Sequence, residues 1–217
     1  EINRLKAKKM VELRRDIEAA AIGNGAAVTG TSGVAGQMRG LYGFIATNAS
    51  VGATTGVAPN PVTNTAPVAG TARAISDVLV KAAVLAAYQN GGDSTMLLVP
   101  PSQKQKVSAL TGNVTRQQTV PSSKADGSLV LNTAFTFYGH DFGVTKVVPD
   151  RVMAAGGLGL TASAYLIDPD KLALGQLRPF ESEQLATTGD AKQWQIRTEV
   201  TLVVRDEKPL ASILDLS

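Results

Sequence analysis

Residues 194–204 read Trp-Gln-Ile-Arg-Thr-Glu-Val-Thr-Leu-Val-Val, an alternation of apolar and polar side chains. Successive side chains of a strand point to opposite faces, so this period of two predicts a half-buried strand. Residues 177–186 are predicted to be its antiparallel partner, joined to it through turn residues 187–190. Because two strands cannot bury an apolar face alone, the fold requires another element to cover this hairpin.

The opening of the chain supplies that element. Apolar side chains recur at helical spacing within the densely charged residues 1–18, at Ile2, Leu5, Met10, Leu13 and Ile17. Gly23 and Gly25 then supply a stop. The sequence therefore predicts a helix of at least about six turns. Such a helix is only marginally stable alone, so we expect it to lie against the hairpin.

The segment after this helix has almost no charge, since Arg39 is the only charged residue between Ala19 and Thr71. Residues 37–47 predict a short buried helix. Residues 48–70 are rich in Gly, Pro, Thr and Ala and lack a core-forming pattern, so they predict a long surface loop.

A helix–strand–helix unit is predicted next. The first helix covers residues 72–89, with Thr71 as its N-cap and Gly91 and Gly92 at its end. Its expected buried face consists of Ile75, Val78, Leu79, Ala82, Leu85 and Ala86. Residues 96–99 predict a buried strand, and residues 101–110 predict a helix that Pro101 opens.

The last third of the chain is predicted to be mainly β. Residues 129–138 alternate, residues 139–141 form a turn, and residues 144–148 return as a second strand. Residues 164–167 predict a further short strand. A helix–strand–helix unit of α/β type is thus followed by a mainly β last third, and the fold class is predicted to be α+β.

Composition narrows the classes of function. The 217 residues include one His and no Cys. The absence of Cys excludes disulfides, thiolate metal sites and Cys nucleophiles. The net charge of +3 is well below that of a dedicated nucleic-acid binder. No apolar run reaches the roughly 18 residues of a membrane helix. The charged opening also leads us to expect no secretory signal peptide.

Three near-motifs for chemistry each have a simpler explanation. Residues 25–32 have the glycine spacing of a phosphate-binding loop, but Thr31 occupies the lysine position and no apolar strand precedes it, which favours a linker. His140 lies beside Asp141 in a predicted turn, without a Ser nucleophile elbow.

The third near-motif is a set of carboxylates that could supply oxygen ligands to a divalent cation, namely Asp150, Asp168, Asp170 and Asp190. Each lies next to Pro or Gly in a predicted turn, which explains it without a metal. We therefore assign no catalytic, cofactor-binding or metal-ligating residue, expect no cofactor, and predict that the chain is not an enzyme.

Four segments in this order resemble major capsid proteins of tailed bacteriophages or prophages. They are ELRRDIEAA at residues 12–20, MLLVPPSQKQKVSAL at 96–110, YGHDFGVTKVVPD at 138–150 and LRPFESEQLATTGD at 177–190. The resemblance implies the Hong Kong 97-type capsid fold. Residues 1–23 and 176–206 would then form a peripheral domain of spine helix and long hairpin. Residues 24–175 and 207–217 would form an axial domain with a central sheet flanked by helices.

The resemblance also implies a function. The chain would be a structural subunit that self-assembles into pentamers and hexamers of an icosahedral shell around phage DNA. Its partners would be further copies of itself, with scaffold, portal or decoration proteins beside them, non-specific contact with packaged DNA, and no membrane. It would be assembled in the host bacterial cytoplasm and located in the virion capsid.

The resemblance implies two more elements, an N-terminal arm and an extended loop before the spine helix. The given sequence begins at that helix, so we expect an upstream part to have been removed and this chain to fold but assemble poorly.

Three alternatives stay open from the residues. An encapsulin-like cellular compartment shares the implied fold, a small α/β metal-dependent enzyme would use the carboxylates, and a nucleic-acid-binding module would use the basic residues 4–9.

Overall fold

The computed structural model describes residues 2–93, 95–110, 137–154, 160–186, 189 and 193–217. These residues form a six-stranded sheet, a separate two-stranded ladder and four α-helices. The α+β class predicted from the sequence is therefore confirmed.

The helices are α1 (Ile2–Gly23), α2 (Leu41–Phe44), α3 (Asp77–Gln89) and α4 (Pro101–Ala109). The six-stranded sheet contains β1 (Ala49–Ser50), β2 (Met96–Val99), β3 (Phe137–His140), β4 (Gly143–Pro149), β5 (Ala164–Ile167) and β8 (Ala211–Ile213). The ladder contains β6 (Leu172–Gln184) and β7 (Trp194–Val204).

The strand order of the sheet is β1-β8-β5-β2-β4-β3. β1 pairs in parallel with β8 and β2 with β4, whereas the other neighbours are antiparallel. The predicted strands at 96–99 and 164–167 are confirmed, and β4 contains the predicted 144–148. Of the predicted strand 129–138, only its last two residues lie within the described part of the chain, as the start of β3.

Both faces of the sheet are buried at its centre. Leu97 and Leu166 point into one apolar cluster, which α3 covers with Val80 and Val84. The neighbouring strand residues Leu98 and Tyr165 point into a second cluster on the opposite face, as the period of two requires. That second cluster also contains Ile22 at the end of α1 and Leu41 of α2, together with Met153 and Leu160.

The structure corrects the predicted start and buried face of α3. The helix begins at Asp77, and the Oγ of Ser76 accepts a hydrogen bond from the Leu79 amide as the N-cap, so Thr71 does not cap it. The buried residues are Val80, Ala83, Val84 and Ala87. Of the predicted face, Ile75 is buried and Leu79 packs against the core, whereas Val78 is 75% exposed and Leu85 is 41% exposed. The helix is apolar on nearly every side, so its periodicity does not select a face.

The surface loop predicted at residues 48–70 is more ordered than its composition indicates. Ala49 and Ser50 form β1, Val51 packs against the second apolar cluster, and residues 57–68 form a small hairpin. The Gly52 amide donates to the Asp215 carboxylate at 2.8 Å, which joins the base of this hairpin to the C-terminal segment. Long-range pairing with the far end of the chain thus orders a segment whose own residues give no periodic signal.

The α1 helix lies against the β6–β7 ladder, as predicted from the need to cover the hairpin. Together they form what we call the helix–ladder unit. β6 begins at Leu172, five residues before the predicted start, and its pairing with β7 shifts register between Gln176 and Glu181. Of the predicted turn 187–190, Gly189 alone is described, and its φ of +69° is one that glycine adopts without strain.

Candidate assembly surfaces

None of the three near-motifs becomes a chemical site within the described residues. Residues 25–32 follow α1 and enter a tight hairpin, in which Val28 pairs with Gln37 and Thr31 with Val34. A phosphate-binding loop instead connects a strand to the N-terminus of a helix. The structure therefore places this segment in a hairpin, which corrects the interpretation as a linker without regular pairing.

His140 organises the turn between β3 and β4. Its Nδ1 accepts a hydrogen bond from the Phe142 amide at 3.2 Å, and its Nε2 lies 3.0 Å from the Thr145 hydroxyl. Burial lowers the pKa of the imidazole, while Asp141 opposes that change. An imidazole whose two nitrogens are both engaged in this way holds a turn in place, which agrees with the turn predicted at residues 139–141.

The candidate oxygen ligands stay apart in the described part of the chain. Asp168 accepts a hydrogen bond from the Asp170 amide at the start of a 3-10 turn, and Asp150 accepts one from the Val152 amide. Asp190 lies outside the described residues. Across 2–93, 95–110, 137–154, 160–186, 189 and 193–217, no three His, Cys, Asp or Glu side chains are grouped to hold a metal ion.

What the structure does present is a set of surfaces. The first is the contact of α1 with the ladder, where basic side chains cover aromatic rings. The Lys6 ammonium lies 2.9 Å from the centre of the Trp194 ring, and the Arg14 guanidinium lies 5.6 Å from that of Phe180. Each aliphatic stem covers apolar surface while its charge interacts with the ring. This surface is only half-buried, since Trp194 remains 38% exposed.

The opposite face of the ladder is a band of ion pairs. Arg178 pairs with Glu199 at 3.5 Å, and Arg197 reaches both Glu181 at 3.5 Å and Glu183 at 3.3 Å. All five side chains are about half exposed, with side-chain exposures of 45–58%. The predicted alternation of β7 is confirmed, because the odd-numbered residues carry these charges and Ile196, Thr198 and Val200 are half-buried.

The second surface consists of two small hairpins, residues 28–37 and 57–68, which we call the paired hairpins. Asn64 joins them: its Oδ1 accepts from the Ala27 amide at 2.8 Å and its Nδ2 donates to the Ala27 carbonyl at 2.7 Å. Arg39 adds two bonds, donating to Asn64 Oδ1 at 2.6 Å and to the Pro61 carbonyl at 2.8 Å. Asn64 within the second hairpin and Arg39 just after the first thus fix the two hairpins side by side.

The paired hairpins expose valines. The exposed large apolar residues on them are Val28, Val34, Val57, Val62 and Val68. Val62 lies at the tip of its hairpin and is 92% exposed, where Asn60 Oδ1 accepts a hydrogen bond from its amide at 2.9 Å. Because residues 19–71 contain only the charge of Arg39, this surface is nearly neutral. An ordered, neutral surface that displays valines is suited to contact with protein.

Sequence reasoning missed both Asn64 and Arg39 as joining residues. Asn64 has a φ of +56°, a conformation that Asn tolerates better than most residues, and the Asn-rich turn 60–64 carries a weak signal for it. Arg39 is visible as the only charge in a neutral segment. A lone charged residue in such a segment indicates a specific partner, although it does not identify which one.

A family model described as the SU10 major capsid protein matches residues 1–217 of this chain. No curated protein matches it. Among the described residues, no helix has the length and apolar character needed to cross a bilayer.

The family match covers the helix–ladder unit, the six-stranded sheet and the paired hairpins together. The bacteriophage resemblance drawn from four short segments is thereby confirmed for the whole length. A major capsid protein is a structural protein of the virion, which agrees with surfaces suited to contact. The chain belongs to the SU10 major capsid protein family.

Proposed function

We propose that this chain is a shell subunit that self-associates into pentamers and hexamers, which tile a closed icosahedral shell around phage DNA. The observation that carries the proposal is the family match over residues 1–217. Rings of five and six follow when one head-to-tail contact closes with slightly different rotations. Assembly would take place in the host cytoplasm, with packaged DNA contacted non-specifically.

The proposal includes the Hong Kong 97-type architecture. Residues 1–23 and 176–206 would form its peripheral domain, and residues 24–175 and 207–217 its axial domain. Two features support this division: α1 lies on β6–β7, and β8 near the end of the chain returns to the six-stranded sheet.

Electron microscopy tests the proposal directly. The full-length gene product, expressed in bacteria and purified at several concentrations, should form closed particles with five- and six-fold capsomers. Soluble material that stays monomeric at every concentration, and also after a scaffold or portal protein from the same phage is added, would contradict it.

We further propose that the paired hairpins, an ordered and nearly neutral surface of exposed valines, take part in the ring contact, and a deletion tests this. Residues 48–52 are tied to the sheet and must remain, so the deletion removes residues 57–69 and joins Gly56 to Gly70. These two glycines already pack closely: a Cβ placed on Gly70 would lie 2.9 Å from the Cα of Gly56. We expect the melting temperature to change little and ring formation to be lost. Equal loss of both would show that the hairpin is a folding element only.

A further inference from the structure

The two edges of the ladder differ in how they are protected against further pairing. β6 contains Pro179, and its pairing with β7 shifts register twice between Gln176 and Glu181, where β6 carries the extra residues. Proline and bulges are devices that keep an edge strand from pairing with another chain. β7 has 11 residues with neither Pro nor Gly and no extra residue. The edge of β7 is therefore the one suited to a further strand.

The hydrogen bonds at the two ends of the ladder show which residues of β7 face its free edge. Before β7, the Leu185 amide donates to the Gln193 carbonyl at 3.0 Å, and after it the Arg205 amide donates to the Lys171 carbonyl at 2.9 Å. Odd-numbered residues therefore bond to β6, and the backbone groups of the even-numbered residues within 194–204 point the opposite way. In the part of the chain that the structure describes, no other group bonds to these even-numbered backbone groups.

The charges on the outer face of β7 are complementary to a second copy of the same strand. Arg197 and Glu199 carry opposite charges and lie symmetrically about Thr198. If two copies of β7 pair antiparallel about a two-fold axis at Thr198, each Arg197 lies opposite the Glu199 of the other copy. Moving the axis by one residue places Arg197 opposite Arg197, or Glu199 opposite Glu199, and like charges directly opposite are destabilising. Charge therefore selects the register centred on Thr198.

The same register suits the even-numbered residues of β7. They become the hydrogen-bonded pairs across the axis, and residues 194–202 of the two copies form about ten backbone hydrogen bonds. Val200 then lies opposite Ile196, and Leu202 lies opposite Trp194. These apolar side chains lie on the face of the ladder that α1 covers, where Lys6 contacts the Trp194 ring. Cross-strand pairs of aromatic and branched apolar side chains stabilise a sheet.

The ion pairs of the single ladder would become part of a longer series on the outer face. Arg197 lies 3.5 Å from Glu181, and Glu199 lies 3.5 Å from Arg178. Across four strands in the order β6, β7, β7, β6, the charged residues are then Glu181, Arg197, Glu199 and Arg178, with signs that alternate. Because the two-fold axis is perpendicular to the sheet, both α1 helices lie together on its other face.

We propose that β7 pairs with β7 of a second copy, antiparallel and centred on Thr198, to form a continuous four-stranded sheet. This inference rests on the proposed function only for the place of the contact in the shell. A contact in which a surface meets itself is isologous, so it joins two subunits and extends no further. Pentamers and hexamers form through head-to-tail contacts, and a shell also needs contacts between neighbouring rings. The β7 pair is a contact of this second kind.

A cysteine at the proposed axis tests the contact, because the given chain has none. Hydrogen-bonded antiparallel residues have Cα atoms about 5.5 Å apart, within the range that a disulfide spans. Thr198→Cys is introduced into the full-length gene product, and its particles are oxidised and analysed on non-reducing denaturing gels. We expect covalent dimers and no larger species. The matched control is Thr201→Cys, whose two copies would lie about 20 Å apart in this register and should stay monomeric.

A proline in β7 tests whether the two strands pair through their backbones. Val200→Pro removes an amide that points away from β6, so the ladder should still form. Each copy then loses one hydrogen bond across the axis, and we expect about a tenfold lower yield of Thr198→Cys dimers, counted over all of the protein. Thr201→Pro removes an amide that points toward β6 and should instead destabilise the ladder, as circular dichroism during a urea titration measures.

Three outcomes would count against the proposals. Particles that give no Thr198→Cys dimers above the Thr201→Cys control would overturn the inference and leave the proposed function standing. Dimers whose yield Val200→Pro does not change would show that the strands meet without backbone pairing, which also overturns it. If the unmodified protein forms no particles under any condition, the proposed function fails. The same gel on the soluble protein then decides the β7 contact alone, since dimers support it and monomers overturn it.

Discussion

The six-stranded sheet and the helix–ladder unit differ most in how deeply their residues are buried. Every residue of β5 is buried, whereas no residue of β7 is. The sheet has apolar clusters on both faces, while the ladder has α1 on one face and exposed ion pairs on the other. One chain therefore combines a tightly packed six-stranded sheet, which resists local unfolding, with a helix–ladder unit that has few buried contacts.

This difference indicates which region of the subunit contributes most to its stability. Burial stabilises in proportion to apolar area removed from water, so the sheet dominates the free energy of unfolding. The helix–ladder unit has large half-exposed surfaces that only further contacts could cover. In the proposed shell, neighbouring copies would supply those contacts.

The largest expected effect comes from the sheet. Leu97→Ala removes a side chain that is 1% exposed and leaves a cavity, so we expect a loss of about 2–5 kcal/mol in the free energy of unfolding. The matched change in the ladder, Leu202→Ala, removes a half-buried side chain and should cost about 1–2 kcal/mol. Urea titrations followed by circular dichroism measure both, and equal losses would break the contrast between the two regions.

A charge introduced into the ladder should destabilise the helix–ladder unit and leave the six-stranded sheet unchanged. Val200→Asp places a carboxylate on the half-buried face toward α1, and we expect a cost of about 1–3 kcal/mol. Hydrogen exchange should then quicken in residues 2–23 and 172–204 and remain unchanged in β2 and β5. Thr201→Asp is the control, since residue 201 lies on the exposed face. Faster exchange throughout the sheet would show that the two regions unfold as one unit.

The sequence predicts the elements of the helix–ladder unit, but it does not predict how tightly they pack against one another. The alternation of residues 194–204 and the apolar stripe of α1 identify both elements and the need for them to meet. From that pattern, Trp194→Ala is predicted to leave a large cavity and unfold the unit. The structure shows Trp194 at 38% exposure beneath Lys6, so no closed cavity would form. Periodicity indicates which face of a strand is apolar, but it does not measure how much of that face other residues cover.

For the sheet, the central strands are predicted better than the elements that cover and extend them. Residues 96–99 predict a buried strand and residues 164–167 a short strand, and both strands form. The face of α3 could not be predicted, because Val78, Leu79 and Val80 are equally apolar and the sheet decides which of them is covered. β1 could not be predicted either, since two residues that pair with residues 163 positions later give no local signal.

The paired hairpins are intermediate between the helix–ladder unit and the sheet. Substitutions of Asn64 test how firmly the two hairpins are held together. Asn64→Gly keeps the φ of +56° permissible and removes only the side-chain bonds to Ala27 and Arg39, so we expect a loss of about 0.5–1 kcal/mol. Asn64→Ala adds the strain of a left-handed backbone and should lose about 1–2 kcal/mol.

Proteolysis rates within residues 24–72 provide the second measurement for these variants. Both should be cut faster there than the unmodified chain, with little change in the urea midpoint of the sheet. Identical behaviour of Asn64→Gly and the unmodified chain would show that the Asn64 side chain does not join the hairpins.

The smallest expected effect belongs to the ion pairs on the outer face of the ladder. Arg197→Gln removes both contacts to Glu181 and Glu183, at side-chain exposures of 45–58%. Exposed pairs of this kind contribute about 0.2–1 kcal/mol and are weakened by salt, so the loss should vanish near 1 M salt. Lys81→Gln, which breaks the pair with Asp77 on α3, is a matched control outside the ladder. If Arg197→Gln costs as much as Leu97→Ala, or its cost persists in high salt, the ladder is held by charge, and the assignment of stability to the sheet is wrong.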